Sequence, residues 1–178
     1  MSKKTLVLAL VGVVLAGSSA PDAMNDGLSR LQTPPEVLSA RPLGLSNRGH
    51  IAGAWSTLNP DMTDLITRAF VWNNGTFTEL GTLGRPISSA TDVNDRGQAV
   101  GNSETGATDE MGQAIFHGFR WQDTNLNGAS DPGEMTDLGT LGGDNSSAFG
   151  INNRGQVVGS AQIAGNAAFH AVLWTLVR

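Results

Sequence analysis

The length and composition of the chain indicate a single domain rich in tight turns. It has 178 residues, of which 23 are glycine and only 15% are charged, and this favours many turns over long solvated helices. The formal net charge is −5, and the only lysines are Lys3 and Lys4, which argues against a nucleic-acid or anionic-lipid partner. The chain has no cysteine, which excludes disulfides and thiolate metal sites.

Residues 1–18 have the pattern of a secretory signal peptide. Lys3 and Lys4 form a short positive segment, residues 6–16 are an uninterrupted apolar run, and small residues follow. The apolar run is too short to span a bilayer, and we expect cleavage after Ser18. The chain is therefore expected to be secreted, to the medium or the cell surface, or to stay in the periplasm. An uncleaved membrane anchor is the alternative.

The remainder of the chain divides into a linker and a repeat domain. The linker, residues 19–36, contains three prolines and no periodic apolar pattern. Residues 37–178 contain the same motifs in the same order three times, which indicates internal repetition. The three copies are about 37–84, 85–143 and 144–178.

A four-residue turn motif that ends in glycine occurs once in each copy. The three occurrences are Ser46-Asn47-Arg48-Gly49, Asn94-Asp95-Arg96-Gly97 and Asn152-Asn153-Arg154-Gly155. A polar first residue, followed by a glycine where φ must be positive, is typical of a type I turn with a G1 bulge. Another glycine follows four residues later in each copy, and the flanking residues alternate as in strands. Each motif therefore predicts a β-hairpin.

Each copy also contains a strand that ends in tryptophan. Its last apolar pair is spaced two residues apart and therefore lies on one face, which predicts core positions. The pairs are Phe70 with Trp72, Phe119 with Trp121, and Val172 with Trp174. In the first copy a turn at residues 73–75 leads to a fourth strand at 76–80, and its counterpart in the second copy is 135–138.

These elements predict an all-β fold of three repeated four-stranded antiparallel sheets, similar to the blades of a propeller. Three blades are few, so we expect an open arc, a compact three-sheet prism or part of a larger assembly. The third copy has no fourth strand, which either residues 36–38 or a neighbouring molecule could supply. Because an unpaired edge strand invites association, a homo-oligomer formed through this edge is one expectation.

One candidate chemical site lies in the second copy, in an enlarged hairpin tip at residues 122–134. The tip matches the calcium-loop pattern D-x-[DN]-x-[DN]-G-x5-E at every fixed position. In such a loop Gly128 allows the sharp turn, one ligand is a main-chain carbonyl, and one side chain binds through water. The predicted Ca²⁺ ligands are Asp123, Asn125, Asn127, the carbonyl of Ala129, Asp131 and Glu134.

An ordinary exposed loop is the alternative interpretation of this tip, because Asn, Asp and Gly are also common in loops without ligands. The match has three weak points. No helix flanks the loop, Ser130 replaces the usual apolar residue, and Pro132 constrains the exit. Calcium is expected to make the tip rigid and to perform no chemistry.

Other polar and aromatic candidates favour structural roles. His117 and His170 occupy equivalent positions in the repeat, which suggests a shared structural role. Trp55 lies outside the repeat register, where core packing is favoured over stacking on a sugar. No nucleophile elbow is visible in the sequence, so we expect no enzymatic activity.

The motifs together resemble the HAF family of extracellular repeats found in exported bacterial proteins. The resemblance covers nearly all of the chain after the linker. Its best copy contains Asp137-Leu138-Gly139-Thr140-Leu141-Gly142-Gly143, Ser147-Ala148-Phe149-Gly150-Ile151-Asn152, Gly155-Gln156-Val157-Val158-Gly159 and His170-Ala171-Val172-Leu173-Trp174. The His-Ala-Phe triplet is never intact, because Arg68, Gly118 and Val172 each replace one of its members. The resemblance implies an extracellular location and a repeat architecture, and it implies no catalytic residues.

The expected function is therefore that of an exported, non-catalytic scaffold for extracellular interaction or structure, stabilised by calcium. It would present loops at 56–67 and 102–114 to an extracellular protein or a glycan. The main alternative is a carbohydrate-binding, lectin-like module with exposed aromatic side chains. A propeller-type hydrolase or lyase would need several acidic residues in one cleft.

Overall fold

The chain folds into three antiparallel β-sheets, and the predicted all-β class is confirmed. The structure is a computed structural model that describes residues 29–175, and within them it contains eleven strands and one single-turn 3-10 helix. All of these strands belong to the unit Gln32–Arg178, whereas the unit Met1–Leu31 contains the predicted signal peptide, residues 1–18, which lies outside the described range. Within the described range, no helix is long and apolar enough to cross a membrane.

Consecutive strands pair with each other in every sheet. The first sheet consists of β1 (Ser39–Leu45), β2 (Ile51–Leu58), β3 (Leu65–Asn73) and β4 (Thr76–Glu79). The second consists of β5 (Ser88–Val93), β6 (Ala99–Thr108), β7 (Ala114–Trp121) and β8 (Met135–Asp137). The third consists of β9 (Gly142–Ile151), β10 (Gln156–Ile163) and β11 (Phe169–Thr175), and the 3-10 helix (Ala164–Asn166) precedes β11.

The glycine-ending turns connect the first two strands of each sheet, as predicted. Gly49, Gly97 and Gly155 have φ values of 83°, 74° and 80°, which glycine adopts without steric cost. In the second turn the Gly97 N–H donates to the Asn94 carbonyl at 3.0 Å, and the Asn94 N–H donates to the Gln98 carbonyl at 3.0 Å. These two hydrogen bonds are those of the predicted type I turn with a G1 bulge.

The glycine that follows each turn four residues later lies against the backbone of the first strand. A Cβ atom on Gly53, Gly101 or Gly159 would collide with a carbonyl oxygen of that strand. In each sheet this first strand also carries a one-residue shift in register near the glycine. The spacing of the two glycines in the motif is therefore a packing requirement.

Every sheet has an aromatic face and a face of smaller side chains. Phe119 and Trp121 lie on the aromatic face of the second sheet and are 0% and 3% exposed. They belong to one buried cluster with Ala52, Ala69 and Val71 of the first sheet. The aromatic face of the second sheet thus covers the smaller-residue face of the first.

The third sheet packs on the second in the same way. Val157 and Trp174, from its aromatic face, cluster with Val100 of the second sheet. Among the described strands, extensive packing between sheets joins β5 to the first sheet and β9 to the second sheet. The sheets therefore follow one another in chain order, with their extensive packing between successive sheets, and this favours the open arc over the compact prism.

A buried serine connects each sheet to the one before it. Ser88 Oγ accepts a hydrogen bond from the Ala69 N–H at 2.9 Å and donates one to the Gly81 carbonyl at 2.7 Å. At the equivalent place in the next interface, Ser146 Oγ accepts from the Gly118 N–H at 2.9 Å. These hydroxyls satisfy backbone groups that the sheets leave unpaired at the interface.

The aromatic face of the first sheet has an aromatic cluster of its own. Phe77 stacks on Phe70 with ring centroids 4.8 Å apart, and Trp55 meets Phe77 edge-on at 5.9 Å. Phe70 and Trp55 are 1% and 5% exposed, so the preference for core packing at Trp55 is confirmed. Of the predicted core pairs, Phe119 with Trp121 is fully buried, Phe70 is buried beside a partly buried Trp72, and Val172 and Trp174 are both partly buried.

The third sheet has three strands within the described residues, in agreement with the predicted absence of a fourth. The prediction that residues 36–38 could supply this strand is wrong. The Leu38 N–H donates to the Ser56 carbonyl at 2.9 Å and so extends the pairing of β1 with β2 in the first sheet. A segment that completes the edge of the first sheet cannot also complete the third.

The two predicted display loops are shorter than expected. The interval 56–67 is mostly strand, because β2 and β3 pair as far as Leu58 with Leu65. The interval 102–114 is likewise occupied by β6 up to Thr108 and by β7 from Ala114. These strand segments contain many polar residues, of which Ser103 and Glu104 are buried and Ser56, Thr57 and Thr67 are partly buried, and this polar composition is also typical of loops. The exposed connections are residues 59–64 and 109–113.

Candidate functional site

The predicted calcium loop connects β7 to β8 at one end of the second sheet. Backbone hydrogen bonds close its base, from the Gln122 N–H to the Glu134 carbonyl at 3.1 Å and from the Glu134 N–H to the Asp131 carbonyl at 3.2 Å. The loop is therefore a wide hairpin tip with a fixed entrance and exit. No helix flanks it, as the sequence indicated.

The first half of the loop folds around the carboxylate of Asp123. Its Oδ2 accepts the Gly128 N–H at 2.8 Å, and its Oδ1 accepts the Asn127 N–H at 3.2 Å. Gly128 has a φ of 75°, so the sharp turn assigned to it is confirmed. Side-chain oxygens thus organise the backbone around the first predicted ligand.

Two amide side chains converge on one oxygen of Asp131. Asn125 Nδ2 and Asn127 Nδ2 lie 2.6 Å and 2.7 Å from Asp131 Oδ2. Together with Asp123, which binds the Asn127 N–H, these residues form one connected polar group. The structure therefore brings together four of the six predicted ligands.

The remaining two predicted ligands lie differently. Glu134 is 4% exposed, and its Oε1 accepts the Thr124 N–H at 2.7 Å while its Oε2 accepts the Asp131 N–H at 3.0 Å. Its carboxylate thus ties the start of the loop to its end. Ala129 donates its N–H to Asn127 Oδ1 at 2.8 Å, and its carbonyl lies outside the hydrogen bonds of the loop.

The donor set of this loop suits calcium by its chemistry. Among the described residues, no group of three or more His, Asp or Glu side chains is arranged to hold a metal ion. The loop instead combines the carboxylates of Asp123 and Asp131 with the amides of Asn125 and Asn127, and calcium accepts such mixed oxygen ligands. Rotation of an asparagine amide exchanges Nδ2 for Oδ1, so both amides can present an oxygen where they now donate.

The loop also binds the neighbouring first sheet, which the sequence did not predict. Thr78 Oγ1 in β4 donates to the Gly128 carbonyl at 2.8 Å. Ser130 Oγ donates to the Leu80 carbonyl at 2.9 Å and accepts the Trp121 Nε1–H at 3.1 Å. Ser130, which departs from the calcium-loop pattern, therefore fixes the loop to two sheets.

A cleft of about 260 Å³ lies between this loop and the first sheet. Its lining includes His50, Thr76, Arg96 and Asp123. Burial lowers the pKa of His50 below its ordinary value; the nearby Asp95 carboxylate opposes this shift and the Arg48 guanidinium adds to it. Both polar and apolar side chains line the cleft, and its volume is small for a ligand pocket.

The three glycine-ending turns form a second polar row beside each other. Asp95 Oδ1 accepts the Arg48 N–H of the first turn at 3.2 Å, and Asp95 Oδ2 accepts Asn153 Nδ2 of the third turn at 2.7 Å. The hydrogen bond from Asn153 is the main cause that lowers the pKa of Asp95. The middle positions of the turn motif therefore join successive sheets.

The histidines at equivalent repeat positions have different surroundings. His117 Nδ1 lies 2.7 Å from Asp137 Oδ2, and its Nε2 lies 3.0 Å from the Asp144 carbonyl, so His117 joins β7, β8 and β9. His170, in β11, is exposed. The structural role predicted for both applies to His117 alone.

Comparison of the chain with protein-family models, with curated proteins and with solved structures finds no match.

Proposed function

We propose that this protein is an exported, non-catalytic β-repeat scaffold of the HAF type, which serves extracellular structure or interaction and is stabilised by calcium at residues 123–134. Export is supported by the positive, apolar and small-residue segments at positions 1–18. The HAF assignment is supported by the threefold turn and tryptophan motifs. A periplasmic or cell-surface location satisfies the same observations.

The observation that carries the calcium proposal is the joint anchoring of the loop. Four predicted ligands form one polar group, and the same loop is fixed to the first sheet through Thr78 and Ser130. A cation that ordered the ligands would therefore also order a contact between two sheets. Calcium-binding sites of extracellular modules work with weak affinity, at dissociation constants of about 0.1 to 1 mM.

Thermal unfolding with calcium and with chelator tests this proposal. At about 10 mM calcium, such affinities stabilise the native state by about 1.4 to 2.7 kcal/mol. For a chain of this size that corresponds to a rise in Tm of about 3 to 10 °C. The measured quantity is the difference in Tm between calcium and chelator, because it separates metal binding from the effect of a substitution on the unbound fold.

Two variants make the experiment specific. Asp131→Ala removes the oxygen on which Asn125 and Asn127 converge, so the calcium-dependent rise should disappear. Asp61→Asn removes one negative charge from a different exposed connection and should keep the full rise. A wild-type Tm that is the same in calcium and chelator, or an equal rise in Asp131→Ala, would refute calcium stabilisation and leave an ordinary hairpin tip.

The carbohydrate-binding alternative loses its best candidate in the structure. Trp55 is 5% exposed and packs on Phe77, so it does not offer a ring for stacking on a sugar. The cleft beside the calcium loop contains Trp121, but this side chain is 3% exposed. We therefore favour the scaffold, with an extracellular protein or glycan as the partner of its exposed connections.

A further inference from the structure

The edge strands of the sheets differ in their protection against pairing with another chain. Exposed edges are commonly protected by short length, bulges, proline or charge. Strand β1 contains Arg41, Pro42 and a shift in register, and β5 and β9 contain similar shifts. Strands β4 and β8 are four and three residues long, and each contains a carboxylate.

Strand β11 has none of these protections. It has seven residues, and the sequence FHAVLWT contains no proline and no Asp, Glu, Lys or Arg. Its pairing with β10 is continuous from Gln156 with Thr175 to Gln162 with Phe169, without a shift in register. Among the described edge strands it is the one that is long, regular and without charge.

The outward-facing backbone groups of β11 follow from its register. The Ile163 N–H donates to the Ala168 carbonyl at 3.1 Å, which makes this a hydrogen-bonded pair. Such pairs alternate in an antiparallel ladder. The N–H and carbonyl groups of Phe169, Ala171 and Leu173 therefore face away from β10, and these three residues are exposed.

The first two sheets show what occupies this edge when the sheet is complete. Ala171 of the third sheet corresponds to Ala69 of the first sheet and Gly118 of the second. Each of these residues directly precedes the first member of its core pair, Val172, Phe70 or Phe119. In the first two sheets, the carbonyls at this position accept hydrogen bonds at 2.9 Å from residues that follow the fourth strand, Leu80 and Leu138. The corresponding edge of the third sheet lacks such a strand in the described chain.

We propose that β11 of a second copy of this chain occupies that edge, antiparallel across a two-fold axis, so that two three-stranded sheets become one six-stranded sheet. A two-fold contact uses the same strand of both copies, which is the commonest arrangement in homo-oligomers. With the axis at Ala171, Phe169 of each copy lies opposite Leu173 of the other. This pairs apolar side chains and brings no like charges together, although the chain as a whole is negative.

A head-to-tail contact with the first sheet is disfavoured by two features. The serine that connects successive sheets, Ser88 or Ser146, is replaced in the first copy by Ala40, which has no hydroxyl. On the aromatic face that would have to dock, Phe70 and Trp55 are already buried, at 1% and 5% exposed. A two-fold edge contact would produce a closed dimer, whereas a head-to-tail contact would produce open chains.

Sedimentation equilibrium of the chain, expressed from its complete gene and purified as the cell processes it, tests this proposal. The interface is small, so we expect a monomer–dimer equilibrium with a dissociation constant in the micromolar range, visible between about 10 and 500 μM. Ala171→Pro removes one outward N–H and leaves the pairing with β10 intact, so dimerisation should weaken at least about tenfold. Monomer at every concentration, or open polymers, would overturn the proposal.

Two further variants distinguish an edge contact from a contact through the neighbouring face, and they test the proposal even if Ala171→Pro fails to fold. Val158→Lys places a charge on the exposed face of β10, one strand inside the edge and beside Leu173, so it should weaken the dimer much less than Ala171→Pro does. A loss as large as that of Ala171→Pro would show that the copies stack face to face instead. The chain has no cysteine, so Ala171→Cys reports only contacts between copies. The two Cα atoms would lie about 5.5 Å apart, within disulfide range, and an absent cross-link would contradict the proposed register.

Discussion

Thr78 Oγ1 donates a 2.8 Å hydrogen bond to the carbonyl of Gly128, a residue 50 positions further along the chain. The bond joins the last strand of the first sheet to the tip of the predicted calcium loop in the second. Thr78 is 8% exposed, whereas Gly128 lies at the exposed tip of the loop. The bond makes the conformation of the loop depend on the packing of two sheets.

Thr78→Val should therefore destabilise the protein without altering its fold. The valine keeps the shape of the side chain but removes the hydrogen bond to the carbonyl of the exposed Gly128, at a cost of about 0.5 to 1.5 kcal/mol. The expected fall in Tm is about 1 to 6 °C. Thr76→Val is the matched control, because Thr76 lies in the same strand but is exposed. The Tm of this variant should differ little from that of the wild type. Equal effects of the two substitutions would show that the contact to Gly128 contributes nothing.

The turns and strand cores of the fold were predictable because they depend on local chemistry. The Asn-Asp-Arg-Gly turn needs a glycine at positive φ, and Gly97 has one. Phe119 and Trp121 are two residues apart, so one strand must place both on the same face. The ends of the long hairpins were not predictable, because Ser56 pairs with Thr67 through backbone groups that every sequence has. Polar side chains at such positions look the same in an exposed strand and in a loop.

Substitution of Gly101 tests the packing explanation of the repeated second glycine. A Cβ atom there would collide with the Ser89 carbonyl, so Gly101→Ala must displace β5 from β6. Overpacking of this kind costs about 1 to 3 kcal/mol, which lowers Tm by about 2 to 12 °C. At Gly150 the nearest atom to an added Cβ is Val158 Cγ2 at 3.4 Å, an ordinary contact. Gly150→Ala should therefore leave Tm unchanged or raise it slightly, and a loss as large as that of Gly101→Ala would contradict the explanation.

The candidate site could be located from the sequence, but its setting could not. The spacing of Asp123, Asn125 and Asn127 identified a loop whose side chains do interact, since spacing is a local property. The partners of Ser130 lie outside the loop, so the sequence shows its hydroxyl only as a departure from the usual apolar residue, whereas the structure shows that it donates to the Leu80 carbonyl. Contacts between sheets depend on how separate repeats pack, and no single sequence motif contains both partners of such a contact.

The pKa of His50 predicts a dependence of stability on pH. Burial lowers this pKa in the folded state below its ordinary value, so the unfolded chain takes up a proton at a higher pH than the folded chain does. Stability from this group is thus fully present above about pH 6.5 and is lost as the pH falls through the folded pKa. The Asp95 carboxylate reduces the shift and the Arg48 guanidinium increases it.

His50→Gln should remove this part of the acid sensitivity. Glutamine does not titrate and retains a polar group near Ser46, whose hydroxyl contacts His50 Nδ1 at 3.2 Å. Between about pH 7.5 and pH 5, the Tm of this variant should therefore fall less than that of the wild type. His170→Gln is the matched control, because His170 is exposed, and its Tm should follow the wild-type curve. If Tm falls by the same amount in His50→Gln and His170→Gln over this pH range, the acid sensitivity arises elsewhere. Burial of His50 between the first and second turns would then not be its cause.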